Sequence, residues 1–382
     1  MFSEAVDLLD VPVVDNHCHG ILRSGTFEDL VGWRRAFTES ADPGMPREHV
    51  ASTAFYRRLV CTLANFLDCE PDEETVLDAR AKTDSREHAA ALLQAANIEA
   101  LVLDTGYPPP EDVLPSSELA ELADCRVAPM PRLEILMEKL LVEHPSLEET
   151  KEALRAELDD IRGKGYVALK SIVAYRTGLD IAEWPVDEAE TAFREYKEAS
   201  ADGPARLAHK PLLDTLLHVA FEEAAQQEVP VQFHVGYGDV ETDIRLGNPL
   251  HLRAVLQKPE YRNMSVVLLH ECYPYTREGA YLAAVHENAY LDLSYGIPLL
   301  GYGEMLAFTR AALGVAPASK LLYSSDGIGA PELHWISALD GRRVLGEVLR
   351  EMAVIGELSL SEAETVGEEV LRRNATRLYQ LS

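Results

Sequence analysis

The apolar run Val11 to His17 leads into Asp15-Asn16-His17-Cys18-His19. Side chains at i and i+2 of a strand face the same way, so His17 and His19 can reach one metal ion with their imidazole nitrogens. Taken alone, such a pair describes two hydrogen-bonded histidines at a strand end equally well. Three more apolar runs end in candidate ligands: His234 in Val229 to Val235, His270 closing Ser265 to His270, and Asp326 just after Lys320 to Ser325. Four imidazoles and a carboxylate suit a divalent transition metal, zinc first, with manganese or iron as alternatives and one or two ions. A bound cation of this kind brings the pKa of water down to about 7. Asp326, touching both ion and water, would accept the proton and pass it to a leaving group, and His270 is counted with it as catalytic.

Lys170 lies inside the apolar run Val167 to Val173, where burying an ammonium is costly. Either a nearby carboxylate pairs with it, or carbon dioxide carbamylates it into an anionic ligand bridging two metals. Substrate contacts are expected from Arg132, Glu134, Tyr175, Arg176 and Tyr237, which follow strand ends. An arginine there could clamp a carboxylate with two hydrogen bonds, or it could form a structural ion pair with Glu134. Tyr237 could hold a ligand or simply pack beside the mouth. Cys18 should point away from its histidine neighbours as a buried structural thiol. His334 and Trp335 could join the same wall or pack the last helix. His49, His88, His144, His209, His218, His251 and His286 lack ligand neighbours in the sequence and read as surface or packing residues.

Positioning these groups requires strands. Val11–His17, Ala100–Thr105, Arg126–Leu133, Val167–Val173, Val229–Val235, Ser265–His270, Ala289–Ser294 and Lys320–Ser325 alternate with amphipathic stretches. Eight such units predict an α/β fold, a (β/α)8 TIM barrel, with a doubly wound open sheet as the alternative. The barrel fits better because polar strand ends gather all round its mouth. Leu154, Leu158 and Ile161 predict one helix, stopped by Gly163 and Gly165. Leu213, Leu216, Leu217, Ala220, Phe221 and Ala224 form the stripe of another. Ser361 and Glu364 have capping-box spacing, and Asp72-Glu73-Glu74 reads as a solvated helix start. Residues of about 20–90, with Trp33, Phe37, Phe55, Tyr56, Leu59, Leu63 and Phe66, predict a helical insertion after the first strand, as a lid or an oligomer contact. Residues 1–382 otherwise read as one barrel domain.

The 382 residues are 47% hydrophobic and 26% charged, an ordinary globular composition that excludes wholesale disorder. A net charge of −29 repels phosphate backbones and anionic bilayers, so the expected partner is a small molecule, with neither nucleic acid nor membrane. Self-association stays open. Five scattered cysteines, with no CxxC pair, fit a reducing compartment. No secretion signal or apolar run of about 18 residues is evident, and a cytoplasmic location is expected.

The ordered set His17, His19, Lys170, His234, His270 and Asp326 resembles the amidohydrolase superfamily of metal-dependent barrels across nearly the whole chain. Within the amidohydrolase-2 branch, three stretches are similar to the domain fused to glutamine-synthetase-like domains in nodulin and FluG-type proteins. They are Leu169-Lys170-Ser171-Ile172-Val173-Ala174-Tyr175-Arg176-Thr177-Gly178-Leu179, Tyr323-Ser324-Ser325-Asp326-Gly327 and Asn374-Ala375-Thr376-Arg377-Leu378-Tyr379. No synthetase-like segment is expected in this sequence. The resemblance implies metal-dependent hydrolysis of a C–N bond, with a γ-glutamyl amide as the leading substrate. Nonoxidative decarboxylation on the same barrel is the alternative, with Arg132 holding the carboxylate, and a non-catalytic binding barrel is a second.

Overall fold

The computed structural model describes residues 6–381, apart from 26, 28, 202 and 204. Eight strands occur among them: β1 (Val13–Cys18), β2 (Ile98–Asp104), β3 (Arg126–Met130), β4 (Leu169–Ser171), β5 (Val231–Phe233), β6 (Val266–Leu268), β7 (Ala289–Ser294) and β8 (Leu321–Ser324). All neighbouring pairs within β1-β2-β3 and β4-β5-β6-β7-β8 are parallel. Two seams join these groups. At β3/β4, Lys170 N–H donates to Pro131 O at 3.0 Å. At β8/β1, Asp326 N–H donates to His17 O at 3.0 Å, and His19 N–H to Gly327 O at 2.8 Å. The sheet thus returns on itself as a (β/α)8 barrel, and the open-sheet alternative is discarded.

Period-two alternation sorts the strand side chains into two cores. Val14, Val102, Met130, Ala168, Val267 and Leu322 share one buried cluster, which fills the barrel. Their neighbours Val13, Leu101, Leu169, Leu268 and Leu321 belong to a larger cluster against the helices. The predicted stripe from Leu213 to Ala224 is buried there, on the helix Lys210–Gln226. The C-terminal helix Asn374–Tyr379 closes the barrel floor with Tyr379.

Several local expectations shift. β4, β5 and β6 have three residues each, shorter than the apolar runs around them. Beyond β6 the chain leaves the ladder through His270, Glu271 and Cys272, all with left-handed φ (62°, 40° and 57°). That costly backbone turns His270 towards the mouth. The helix Leu147–Leu158 ends before Ile161. The capping box is Ser359 with Glu362 rather than Ser361 with Glu364, because a start at Leu360 puts Ala363 and Gly367 on the buried face.

Between β1 and β2 lie the helices Leu30–Arg35, Ala54–Leu67, Glu73–Ala81 and Ser85–Ala95. Trp33, Phe37, Phe55, Tyr56, Leu59 and Leu63 are buried in their core, while Phe66 is partly exposed and meets Trp335 with ring centroids 5.2 Å apart. Asp72 caps the third of these helices, as expected. Arg80 Nε and His88 Nε2 converge on Glu332 Oε1 at 2.6 and 2.8 Å. Burial opposes ionisation of Glu332, but His88 and Arg80 outweigh it and hold the carboxyl at about 2. Trp335, buried against Phe66, is a packing residue, and His88 is a buried hydrogen-bond partner of Glu332. Among the described residues no helix is long and apolar enough to cross a membrane.

Gly236, two residues past His234, has φ +79°, and a Cβ there would lie 2.2 Å from Tyr273 O. Both the conformation and the contact require glycine. Gly236→Ala should lose about 2–4 kcal/mol of unfolding free energy in urea titrations. A loss below about 0.5 kcal/mol would contradict this close approach.

Candidate metal centre and active site

A cavity of about 710 Å³ opens at the C-terminal ends of the strands, and His17, His19, Lys170, His234, His270 and Asp326 all line it. Asp326 Oδ1 lies 3.4 Å from His17 Nε2 and 3.5 Å from His19 Nε2. Donor atoms of His17, His19 and Asp326 all fall within 4.8 Å of one another. Lys170 Nζ is 3.5 Å from His17 Nε2. His270 Nδ1 lies 3.3 Å from Asp326 Oδ2, and its Nε2 shares a hydrogen bond of 3.0 Å with His234 Nδ1. The six residues, from the ends of β1, β4, β5, β6 and β8, therefore meet as a tight trio beside a histidine pair, with Lys170 against His17.

The far sides of the His17 and His19 rings are held, whereas both nitrogens of His234 are engaged, by His270 Nε2 and Tyr237 O. His17 Nδ1 pairs with Gln232 Oε1 at 2.8 Å, and His19 Nδ1 with Tyr107 O at 2.9 Å. An acceptor opposite Nδ1 puts the proton there and leaves the Nε2 lone pair facing Asp326. Gln232 is itself fixed, donating to Asn16 O at 2.6 Å and to Tyr379 Oη at 2.8 Å. Asp292 accepts from Asn16 Nδ2 at 2.7 Å and from the His270 N–H at 2.8 Å. Cys18 turns outward, with Sγ 3.7 Å from Val102 O, and burial pushes its thiol well up. It is a structural thiol, as the strand alternation predicts.

Electrostatics favour a cation at the trio. Burial, then the Lys170 charge, pushes the His17 imidazole well down, and burial brings His270 to about 3. Burial and then His270 push His234 well down. These rings are neutral donors at pH 7. Neutral imidazoles with oriented lone pairs around a carboxylate fit a divalent metal.

Asp326 has φ +50° and hangs from Ser325. Asp15 accepts from Ser325 N–H at 2.9 Å and from Ser325 Oγ at 2.5 Å, and Gly327 N–H donates to Ser325 Oγ at 2.8 Å. His334 lies behind this turn, 3.4 Å from Ser325 Oγ, outside the cavity lining. Ser325→Ala should lower kcat on the order of tenfold, because it loosens Asp326 without touching substrate. KM should stay within about twofold, since substrate contacts are retained. A change in KM alone would assign Ser325 to binding instead.

The expected substrate residues divide. Arg132, Tyr175, Arg176 and Tyr237 line the cavity. Arg132 pairs with Asp104 (Nη2–Oδ2 2.6 Å), not with Glu134, and Arg176 pairs with Glu138 at 3.3 Å. The Tyr175 ring lies 4.3 Å from that of His234, and Tyr237 Oη donates to Asp326 Oδ2 at 2.6 Å. Glu134 is misplaced by the sequence reading. It starts the helix Leu133–Glu143, and it turns inward to accept from Ser171 Oγ at 2.7 Å and Ile172 N–H at 3.0 Å. Burial pushes its carboxyl up, and it does not line the cavity. Asp104, Glu39 and Asp239 were missed. Asp104 ends β2 and shows the same strand-end signal as the histidines, whereas Glu39 lies in the insertion, where no periodicity marks it.

A family model described as Amidohydrolase (Amidohydro_2) matches residues 166–381. The chain belongs to this amidohydrolase family. The amidohydrolase is 32% identical over 234 residues to Protein fluG of Emericella nidulans, covering 59% of this chain and 27% of that protein. It thus spans about a quarter of that relative's length. A crystal structure of a candidate metal-dependent hydrolase from Lactobacillus casei ATCC 334 superposes with a TM-score of 0.87 at 29% identity, over 99% of this chain and 98% of that one. Uronate isomerase from Thermotoga maritima gives a TM-score of 0.67 at 14% identity, over 97% and 95% of the two chains, a likeness of fold alone. Membership of this family makes the protein an enzyme, and its superfamily implies a divalent metal, for which the trio offers a ligand group.

Proposed function

We propose that this amidohydrolase cleaves the C–N bond of a small amide that also carries a carboxylate, with a γ-glutamyl amide as the leading form. The convergence of His17 Nε2, His19 Nε2 and Asp326 Oδ1 on the cavity floor carries the reading. The proposed ligands are His17, His19, His234, His270 and Asp326, with Lys170 beside them as the residue that decides between one ion and two. A divalent cation held there, most simply zinc, supplies Lewis acidity that makes water a nucleophile near neutral pH. Asp326 takes the proton released from water and delivers it to the departing nitrogen. Tyr237 Oη donates to Asp326 Oδ2, which leaves Oδ1 facing His17 and His19 for that transfer. His270, against Oδ2, steadies the same carboxylate. Arg132 supports the carboxylate end of the substrate: it lines the cavity, and only its Nε and Nη2 are engaged by Asp104. The similarity to FluG-type domains beside synthetase-like domains supports a glutamate-derived amide.

The test is a panel of γ-glutamyl amides, N-acyl amino acids and simple esters, assayed with protein supplied with zinc or manganese. Turnover of carboxylate-bearing amides that a chelator abolishes is expected. Carbon dioxide release from aromatic acids, with no amide turnover, would establish the decarboxylase reading. Protein that retains no metal and whose stability ignores added zinc and manganese would favour the binding barrel.

A further inference from the structure

The cavity wall is electrostatically lopsided. Its arginines are largely matched by protein carboxylates: Arg132 by Asp104, Arg176 by Glu138 and Arg206 by Glu241. Arg35, on the exposed rim, forms no ion pair among the described residues. Three acids of the lining have no cationic partner among the described residues: Asp112, which is exposed, and the less exposed Glu39 and Asp239. Glu39, from the insertion after β1, is half-buried in the wall, and its carboxyl has no hydrogen bond or ion pair among the described residues. Asp239, from the loop after β5, accepts the Glu241 N–H, at 2.9 Å, and its side chain has no other hydrogen bond or ion pair among the described residues. Burial, and then the charges of Asp326 and Asp239, push the Glu39 carboxyl up to about 7. The fields of Glu39 and Asp239 also reach Tyr175, and that of Glu39 reaches Tyr237, whose rings line the same space. Carboxylates crowded together out of water, without a cation, destabilise one another. A cation between them relieves both, and aromatic faces add to its hold.

We propose that Glu39 and Asp239, from two separate loops, form a subsite for an ammonium group carried by the substrate. This rests on the cavity being the substrate site, and it narrows the proposed amides to those that bear a free amine. Arg35 and Arg132 leave the same cavity able to take a carboxylate, so the ligand class is zwitterionic. Discrimination comes from the insertion, because Glu39 enters the cavity on it.

The probes are n-butylamine, an ammonium at pH 7.5, and n-butanol, its neutral isostere, titrated into the zinc-supplemented full chain by ligand-observed NMR. The amine should bind at least tenfold more tightly than the alcohol. Glu39→Gln and Asp239→Asn should each reduce that ratio severalfold, and Glu39→Asp should restore part of it. Equal binding of amine and alcohol, or a ratio that Glu39→Gln leaves unchanged, overturns the subsite. Amine coordination to zinc would not respond to Glu39→Gln and so counts against it. Melting temperatures of the variants confirm that they fold. A persistent amine preference with no amide turnover would defeat the proposed reaction yet leave the subsite standing. Amide turnover with no amine preference would do the reverse.

Discussion

Asp326→Asn is expected to lower kcat by about 10³–10⁴ while the chain stays folded. The substitution keeps the shape of the side chain, and asparagine can still accept the Tyr237 hydrogen bond of 2.6 Å. It cannot take up a proton from water or return one to a departing amine. It also removes the anion facing His17, His19 and His270, so a cation there is held less tightly. Metal content by mass spectrometry separates the two losses. A variant supplied with excess zinc should regain metal and still lack turnover. Recovery of more than a tenth of the wild-type rate would remove Asp326 from the proton-transfer role.

Lys170→Met should abolish activity and, at pH 7, stabilise the metal-free protein. Lys170 is 1% exposed, and no carboxylate lies within ion-pairing distance among the described residues. Burial is the main reason its ammonium falls from 10.5 to about 8, against the partial support of Asp104. At pH 7 both folded and unfolded chains carry this proton, so the folded state bears the full cost of the buried charge. That cost is at most about 3–4 kcal/mol, from roughly 1.4 kcal/mol per unit of displacement. Between about 8 and 10.5 the unfolded chain keeps the proton and the folded chain has lost it, so wild-type stability climbs with pH across that window. The methionine variant, of similar volume and no charge, should lack the climb. Urea titrations of chelator-treated protein at pH 7 and pH 10 measure both effects. A variant less stable than wild type at pH 7 would show that the ammonium supports the fold instead. The same displacement raises the fraction of free amine, the form that carbon dioxide carbamylates. Restoration of activity to a Lys170→Ala variant by short carboxylic acids would support the bridging role.

The sequence by itself determined the barrel and the ligand candidates. Short continuous apolar runs mark the strands because both faces of each are buried, and His17, His19, Lys170, His234, His270 and Asp326 stand out as polar residues within or at the ends of such runs. Adjacent residues were harder to assign. Glu134 follows Arg132 by two positions, yet the helix beginning at Leu133 turns it into the protein to bind Ser171 and Ile172. Once a strand gives way to a helix, alternation no longer says which way a side chain faces. Only the tertiary structure decided that Asp104 engages Arg132, that Tyr379 and Gln232 orient His17, and that Glu39 reaches the cavity from the insertion. Those contacts join segments up to hundreds of residues apart. Their strength depends on burial and on what else lies nearby, and neither is a property of local sequence.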